Sequence, residues 1–349
     1  MQAVRHYFPG GNTPEGFFSY YDEILKGPSK GKLAVIKGGP GCGKSTFMKK
    51  LGKKIEELGK SVSYLHCSSD PDSLDGVYLP EYHTAVIDAT APHIVDARYP
   101  GVCDKVLNFC DMIDDSGIRP YKDSVISLNE SIGNAFSEGY HYLRSAREIL
   151  YLMEKRSRSS YAKEEGSRFC LDTLKRLPVS TGEGSVQKMF LSAITPGGFK
   201  NYLSETLKDR FVVMLRAESG DVASDILKQL SQMCQIRQID MQQFFCPMNP
   251  GCMEHLVLPS ANFAITVSNP YHTYENPDEV IYFSDFCKND YDNTKDALLY
   301  EQLMKEAVSE FSRAKALHDQ LEQYYIPHVD FQKADALIAQ TLSFLMETS

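Results

Sequence analysis

Residues 32–51 read KLAVIKGGPGCGKSTFMKKL, and this stretch decides how the chain can fold. It begins with a short apolar run, from Leu33 to Ile36, of the kind found in buried β-strands. A glycine-rich segment follows at once, and apolar residues then recur at helical spacing (Phe47, Met48, Leu51). The order predicts a strand, a tight loop and a helix in direct succession.

Residues 38–45 match GxxxxGK[ST], the spacing of the phosphate-binding P-loop, in the strand–loop–helix context that the motif requires. Glycines let successive N–H groups turn toward one anion, and the helix N-terminus adds partial positive charge. Lys44 is expected to contact the β- and γ-phosphates and Ser45 to ligate Mg²⁺. The expected ligand is ATP with Mg²⁺, and GTP is the alternative. The predicted nucleotide-binding residues are Gly38, Gly39, Pro40, Gly41, Cys42, Gly43, Lys44, Ser45 and Thr46.

Asp88 is the predicted second ligand for magnesium. It ends the apolar run 84–88, which is the position of a Walker B carboxylate after a P-loop. The alternative is an aspartate that only caps the strand. We therefore predict catalytic roles for Lys44 and Asp88, and a metal site formed by Ser45 and Asp88.

The group that would orient attacking water is harder to assign, because Asp88 is followed by Ala89 and not by a glutamate. Candidates lie in the acidic loop predicted at 68–76, whose carboxylates are Asp70, Asp72 and Asp75. We select Asp75 as the catalytic candidate, because its counterpart in the repeat described next is also acidic. The alternative is a turn in which these carboxylates make local hydrogen bonds.

The sequence contains an internal repeat. The pattern that starts at Val4 and includes Thr-Pro-x-Gly-Phe recurs from Val186, and a later block (residues 65–88) recurs 179 residues further on. Asp75 aligns with Glu254 in this scheme, and Phe109-Cys110 aligns with Phe286-Cys287. Because the matches keep their order and spacing, we infer a tandem duplication.

Each copy predicts an α/β module with a mostly parallel sheet, flanking helices and a long helical hairpin. The first module is predicted at 1–178, with its hairpin at about 122–177. The second is predicted at 183–349, with its hairpin at about 293–347. Apolar residues at three-to-four spacing predict helix-on-helix packing in both hairpins.

The second copy has lost the groups that would hold a triphosphate. Gly41 and Ser45 persist as Gly220 and Ser224. We therefore predict that only the first copy binds nucleotide tightly, and that the second is a scaffold that packs against it as an internal pseudo-dimer. The replacements, first copy to second, are Gly39 to Glu218, Gly43 to Val222, Lys44 to Ala223 and Asp88 to Val267.

The two predicted hairpins differ in charge. Formal charge sums to +4 over residues 141–176 and to −6 over residues 290–349. The basic tip at 155–158 could contact nucleic acid, the acidic hairpin of its own second half, or solvent. We consider nucleic acid unlikely, because the whole chain carries a net charge of −9.

Cysteine and histidine usage gives weaker signals. Nine cysteines at irregular spacing indicate reduced thiols and a cytoplasmic location. No apolar run is long enough for a membrane span. Cys42 is either reactive in the phosphate loop or shielded. His93 and His272 recur in both copies, which favours support of the fold. Cys246, Cys252 and His255 resemble metal ligands, but no fourth ligand is evident, and we do not predict zinc there.

Three motifs of the first copy resemble a bacterial family built from two fused P-loop modules, whose members are generally labelled ATPases. They are GGPGCGKST, the segment HCSSDPDSLDGVYLP and AVIDATAPH. The resemblance extends over nearly the whole chain and implies ATP binding and hydrolysis through residues 38–46 and Asp88. It implies no particular substrate or pathway.

The sequence leaves three functions open. The first is a Mg²⁺-dependent ATPase with one working site, completed by an Arg or Lys from the second module. The second is a small-molecule or nucleotide kinase in which Arg98 or Arg119 holds the acceptor. The third is a nucleotide-dependent switch whose helical hairpins bind a protein partner, with low turnover until that partner is present.

Overall fold

The computed structural model describes residues 3–26, 31–92, 94–178, 182–217, 221–269, 272–287 and 292–347. In chain order the first half comprises β1 (Val4–Tyr7), β2 (Gly10–Thr13), β3 (Gly16–Ser19), α1 (Tyr21–Ile24), β4 (Lys32–Lys37), α2 (Lys44–Glu57), β5 (Val62–His66), β6 (Leu74–Leu79), β7 (Thr84–Asp88), β8 (Asp104–Asn108), α3 (Asp115–Ile118), α4 (Lys122–Ser160) and α5 (Lys163–Arg176).

The second half repeats this order. It comprises β9 (Val186–Met189), β10 (Ser192–Thr195), β11 (Gly198–Asn201), α6 (Leu203–Leu207), β12 (Phe211–Arg216), α7 (Asp221–Ile236), β13 (Met241–Cys246), β14 (Asn249–Leu258), β15 (Phe263–Ser268), β16 (Glu279–Tyr282), α8 (Thr294–Tyr325) and α9 (Phe331–Met346).

Each half contains a six-stranded sheet of the same topology. The strand orders are β1-β5-β6-β7-β4-β8 and β9-β13-β14-β15-β12-β16. Neighbouring strands are parallel, except that β6 and β14 run antiparallel to both of their neighbours. The predicted α/β class is confirmed, and the two halves agree with the prediction of two sheet-and-helix modules.

Strand β6 departs from the prediction of a loop over 68–76. It begins at Leu74, and its six residues are all buried because the strand lies between β5 and β7. The sequence gives little sign of this, since an aspartate and a glycine occupy the middle of the strand. Asp75 therefore lies in a buried strand and not in an exposed acidic loop.

Both antiparallel strands carry a β-bulge at the same place. Leu65 pairs with Gly76 but His66 pairs with Leu74, so Asp75 is the extra residue of the bulge. In the second half, Phe244 pairs with His255 and Phe245 pairs with Met253, so the extra residue is Glu254. A bulge re-aims its side chain, which places Asp75 and Glu254 in equivalent positions.

The long helices α4 and α8 pack side by side and antiparallel. Tyr121, just before α4, stacks near Tyr324 at the end of α8, while Arg156 near the end of α4 pairs with Asp296 at the start of α8. Each predicted hairpin therefore contains two helices at the expected places, but the long helix of one half packs on the long helix of the other.

The two terminal helices are exchanged between the halves. Helix α5 of the first half packs on α7 of the second, where Arg237 donates to the Leu174 carbonyl at 2.8 Å. Helix α9 of the second half packs on α2 of the first, where Lys50 pairs with Asp335 at 2.6 Å. The apolar face of α2 is buried against the sheet and α9, in agreement with its predicted stripe.

Equivalent positions of the two halves contact each other. Phe8 and Phe190 exchange backbone hydrogen bonds, with N···O distances of 3.0 and 3.2 Å. The Asn12 amide donates to the Ile194 carbonyl at 2.9 Å, again across 182 residues. The largest hydrophobic cluster contains residues of both halves, so the halves share one core.

The sheet register corrects one part of the repeat alignment. Ala34 pairs with Lys105 in the first half, and Val213, its equivalent, pairs with Glu279. This register shifts the last strand by three residues relative to the sequence match. Phe109 therefore corresponds to Phe283 and not to Phe286.

Among the helices of the described ranges, none is both long enough and apolar enough to cross a bilayer.

Candidate functional site

The glycine-rich loop joins the buried strand β4 to the N-terminus of α2, as the sequence predicts. Ala34, Val35 and Ile36 are fully buried, in agreement with a strand that pairs on both sides, between β7 and β8. Gly41 and Gly43 have φ of +65° and +80°, in the left-handed region that side-chain-bearing residues rarely adopt. The backbone path between strand and helix therefore requires glycine at both positions.

Lys44 folds back over the loop that precedes it. Its Nζ donates to the carbonyls of Gly38 and Gly39, each at 2.8 Å, and lies 3.6 Å from Asp88 Oδ2. The Asp88 carboxylate also accepts from the Thr90 N–H at 2.9 Å, which holds it at the end of β7. The structure thus brings together two of the three residues predicted as catalytic, Lys44 and Asp88, at the carboxyl edge of the sheet.

Ser45 lies in the first turn of α2, beside the bulge of β6. Its hydroxyl accepts a hydrogen bond from the Leu74 N–H at 3.0 Å. Ser224, its equivalent, accepts from the Met253 N–H at 2.7 Å. Because the contact occurs in both halves, it serves the packing of the helix on the antiparallel strand. A hydroxyl that accepts one hydrogen bond retains a second lone pair for a cation.

A carboxylate from the second half reaches the loop. Glu322, near the end of α8, accepts a hydrogen bond from the Gly41 N–H at 3.2 Å. The loop N–H groups are the donors that a phosphate would use, so Glu322 holds one of them with an anionic group. Sequence reasoning missed this residue, because nothing in α8 marks one glutamate among several as a partner of the loop.

Apolar side chains of the same region lie over the loop. A Cβ built on Gly41 would be 3.1 Å from Ile326 Cγ1, and one built on Gly43 would be 3.1 Å from the Phe331 ring. A Cβ built on Gly39 would be 3.3 Å from Tyr325 Cε1. The junction between α8 and α9 therefore forms a cover on the loop, with Glu322 at its edge.

Cys42 is shielded in this arrangement. It is 1% exposed, and burial raises the pKa of its thiol, with Lys44 opposing the shift. A neutral buried thiol is a poor nucleophile. Of the two alternatives for Cys42, the structure shows the shielded one.

Asp75 points into a buried cluster, where it interacts with Tyr21 and Cys67. Burial first, and the Asp75 carboxylate second, raise the pKa of both the Tyr21 hydroxyl and the Cys67 thiol. These contacts give Asp75 a structural role at the bulge. The other two acidic candidates face the second half, since Asp70 lies 3.6 Å from Lys315 and Asp72 lies 3.7 Å from Lys200.

The second half has apolar side chains at the equivalents of the loop lysine and the strand-end aspartate. Val222 and Ala223 are buried at the start of α7, and Val267 is buried at the place of Asp88. Leu215 pairs with Val267 as Ile36 pairs with Asp88, so the sheet register supports this alignment. Glu218, Gly220 and His93 lie outside the described residues.

The basic tip of α4 pairs with the second half. Arg156 contacts Asp296 and the Asn293 side chain, and Arg158 pairs with Asp225 at 2.8 Å. Of the three alternatives for residues 155–158, the structure shows contact with the acidic hairpin for Arg156, whereas the partner of Arg158, Asp225, lies in α7. The opposite charges of the two hairpins thus complement each other within the chain.

The trio of Cys246, Cys252 and His255, which resembles metal ligands in the sequence but is not predicted to bind metal, is not the set that the structure gathers. His255 instead lies with Glu254 and His272, each of them buried. Burial, followed by the neighbouring His272, lowers the pKa of His255 well below its usual value. The signal that could have identified the set is the pair Glu254-His255 together with the repeat-aligned His272.

Comparison with known families gives one partial match. A family model described as Nephrocystin 3, N-terminal matches residues 17–77, which include the glycine-rich loop and α2. No curated protein and no solved structure matches the chain. Because the matched segment is less than a fifth of the sequence, the likeness is confined to the loop, its helix and the strands around them.

Proposed function

We propose that this protein is a Mg²⁺-dependent P-loop ATPase with one competent site in its first half. The observation that carries the proposal is the position of Lys44 on the carbonyls of the glycine-rich loop, 3.6 Å from the Asp88 carboxylate. A lysine and a carboxylate at the end of parallel strands, beside a helix N-terminus, suit the binding of a charged phosphate chain.

The donor set near Lys44 suits magnesium. Ser45 supplies a hydroxyl oxygen and Asp88 a carboxylate oxygen, and both are hard ligands of the kind that Mg²⁺ prefers. Bound there, the ion would offset the charge of the phosphates. The protein's own contribution is the Lys44 ammonium and the loop N–H groups, which are fixed in place before the reaction.

The second half acts as a scaffold in this proposal. Its apolar Ala223 and Val267 leave no cation or carboxylate at the places of Lys44 and Asp88. The reciprocal contacts of Phe8 and Phe190 support an internal pseudo-dimer. Lys315, which lies 3.6 Å from Asp70, is the second-half cation that we propose as the completing residue.

A nucleotide-dependent switch is the second candidate, and the contact of Glu322 with Gly41 favours it. A phosphate chain would compete with the Glu322 carboxylate for the same N–H group. Binding would therefore move the end of α8, together with the cover formed by Tyr325, Ile326 and Phe331. Such a coupling transmits the state of the nucleotide to the long helices.

The kinase alternative draws no support from the arginines proposed for an acceptor. Arg98 pairs with Asp22 at 3.1 Å on the protein surface. Arg119 lies in a short 3₁₀ helix before α4.

The test is phosphate release by the full chain with Mg²⁺, measured with ATP and with GTP, for wild type and Lys44→Ala. We expect Lys44→Ala to lower turnover by about 10²–10³-fold, the usual cost of removing one group that stabilises transition-state charge. Lys53→Ala, at an exposed position of the same helix, is the matched control and should leave turnover unchanged.

Three outcomes separate the candidates. Turnover by the chain alone supports the ATPase. Tight binding without turnover, lost in Lys44→Ala, supports the switch. Binding of neither nucleotide by a folded wild-type chain, or equal behaviour of Lys44→Ala and Lys53→Ala, would refute the P-loop assignment altogether.

A further inference from the structure

Three titratable side chains meet in the core of the second half, away from the glycine-rich loop. Glu254 and His255 are consecutive residues of β14, and His272 follows β15. They are 2%, 0% and 4% exposed. One ligand atom from each lies within 4.8 Å of the others. Such a group of carboxylate and imidazoles has the composition of a transition-metal site.

The β-bulge explains how two consecutive strand residues reach one point. In a regular strand the side chains of Glu254 and His255 would point to opposite faces of the sheet. Glu254 is the extra residue of the bulge, so its side chain is re-aimed. As a result Glu254 Oε2 lies 4.0 Å from His255 Nε2 and 3.9 Å from His272 Nε2.

The facing atoms lack hydrogen-bond partners among the described residues. These atoms are Glu254 Oε2, His255 Nε2 and both ring nitrogens of His272. Buried polar atoms normally have partners, and leaving one unpaired costs about 1–3 kcal/mol. Glu254 Oε2 and the Nε2 atoms of the two histidines lie close enough for one ligand to satisfy all three, whereas His272 Nδ1 faces another direction because the two nitrogens of one ring diverge.

The surrounding contacts orient the group for metal binding. His255 Nδ1 lies 2.7 Å from the Thr266 hydroxyl, which leaves Nε2 for the cluster. The backbone N–H of His272 donates to the Asn269 side chain at 3.2 Å, and its backbone carbonyl accepts from the Asn269 N–H, so these contacts fix the main chain of His272 and not its ring. A hydrogen bond on the second ring nitrogen, as His255 has, is the usual device that orients a metal-ligating histidine.

We propose that Glu254, His255 and His272 bind a divalent transition metal of the zinc class in the core of the second half. A point equidistant from three atoms at these separations lies about 2.5 Å from each, close to the 2.0–2.2 Å of zinc bonds to nitrogen and oxygen. Movements of a few tenths of an ångström complete the geometry. Two imidazoles select such an ion over Mg²⁺ or Ca²⁺, which prefer oxygen ligands.

Cys246 is the candidate that we propose for a fourth ligand, although its sulfur is not among the ligand atoms that lie within 4.8 Å of one another. It ends β13, and its thiol interacts with the Glu254 carboxylate. Zinc in closed structural sites is four-coordinate, and cysteine is among its commonest ligands. The ion would link β13, β14 and the segment after β15. Its positive charge would compensate the negative charge of the buried Glu254 carboxylate.

The first half cannot form the same site, so the proposed metal site is distinct from the nucleotide site of the first half. The counterpart of Glu254 is Asp75, but the counterpart of His255 is Gly76. A Cβ on Gly76 would lie 2.8 Å from the Val86 carbonyl oxygen, so no histidine fits there. The second half thus replaces a lost nucleotide site with a metal site at the neighbouring bulge.

The experiment measures metal in the full chain after expression in zinc-supplemented medium and desalting without chelator. We expect one zinc per wild-type chain by elemental analysis. His255→Gln and His272→Gln should each reduce this to near zero. His141→Gln, at an exposed position of α4, is the matched control and should keep the ion.

A second measurement uses wild type, so it tests metal binding even if the histidine variants fail to fold. Wild type that is denatured with chelator and refolded with Co²⁺ should show the visible absorption of a tetrahedral site. A thiolate-to-cobalt band that disappears in Cys246→Ser would identify the fourth ligand. Folded wild type without stoichiometric metal and without a cobalt spectrum would overturn the proposal, as would full zinc content in both histidine variants.

Discussion

At the scale of the residue, the contact between Glu322 and Gly41 makes the clearest prediction. The carboxylate holds a loop N–H at 3.2 Å and adds negative charge where a triphosphate would bind. We expect Glu322→Ala to tighten binding of Mg²⁺-ATP by about tenfold, which is 1.4 kcal/mol and within the usual range for a hydrogen bond to a charged group. Equilibrium titration with a fluorescent ATP analogue measures this.

Glu306→Ala is the control, because Glu306 is exposed on the same helix. It should leave affinity unchanged. Weaker binding in Glu322→Ala would show that the carboxylate contributes to the nucleotide site and does not compete for it, and would remove the support for the switch.

At the scale of the element, the contact between α4 and α8 depends on a glycine. Gly139 is buried, and a Cβ there would lie 2.5 Å from Cε1 of the fully buried Phe311. Gly133 lies on the same helix at an exposed position, where a Cβ would meet nothing within 4 Å. The two positions differ in packing but share the helical backbone.

Alanine substitutions at the two positions should therefore change the free energy of unfolding in opposite directions. Gly133→Ala should raise the free energy of unfolding by up to about 1 kcal/mol through helix propensity. Gly139→Ala should lower it, because overpacking a core costs about 1–3 kcal/mol and exceeds that gain. Denaturant unfolding of the full chain measures both. Equal stabilisation by the two substitutions would contradict the close packing of α4 on α8.

At the scale of the whole molecule, the two halves share a topology but differ in their loops. The second half has buried Ala223 and Val267 at the places of Lys44 and Asp88. We expect calorimetry to give one ATP per chain, and none for Lys44→Ala. A stoichiometry of two would show that the second half binds nucleotide without a loop lysine, and would contradict the division of roles between the halves.

The exchange of α5 and α9 ties the halves together. Each terminal helix packs on the loop-following helix of the other half, and the main hydrophobic cluster crosses between them. The glycine-rich loop itself is in direct contact with the end of α8 and the start of α9.

The sequence by itself determined the elements that depend on local pattern. The apolar run, the glycines and the helical spacing of 32–51 predicted β4, the loop and α2, because each signal lies within a few consecutive residues. The repeat predicted two similar halves, since duplication leaves matched spacing along the chain.

Only the tertiary structure decided what depends on partners distant in sequence. The exchange of α5 and α9 and the place of Glu322 against Gly41 arise from contacts between remote segments. Strand β6 and its bulge pair with β5 and β7, which are its neighbours along the chain, but Asp75 and Gly76 interrupt the apolar pattern that would have predicted a strand. A side chain such as Glu322 carries no local mark of its partner. Its role is set by the packing of α8 on α4 of the first half, which buries a separate hydrophobic cluster between the two helices.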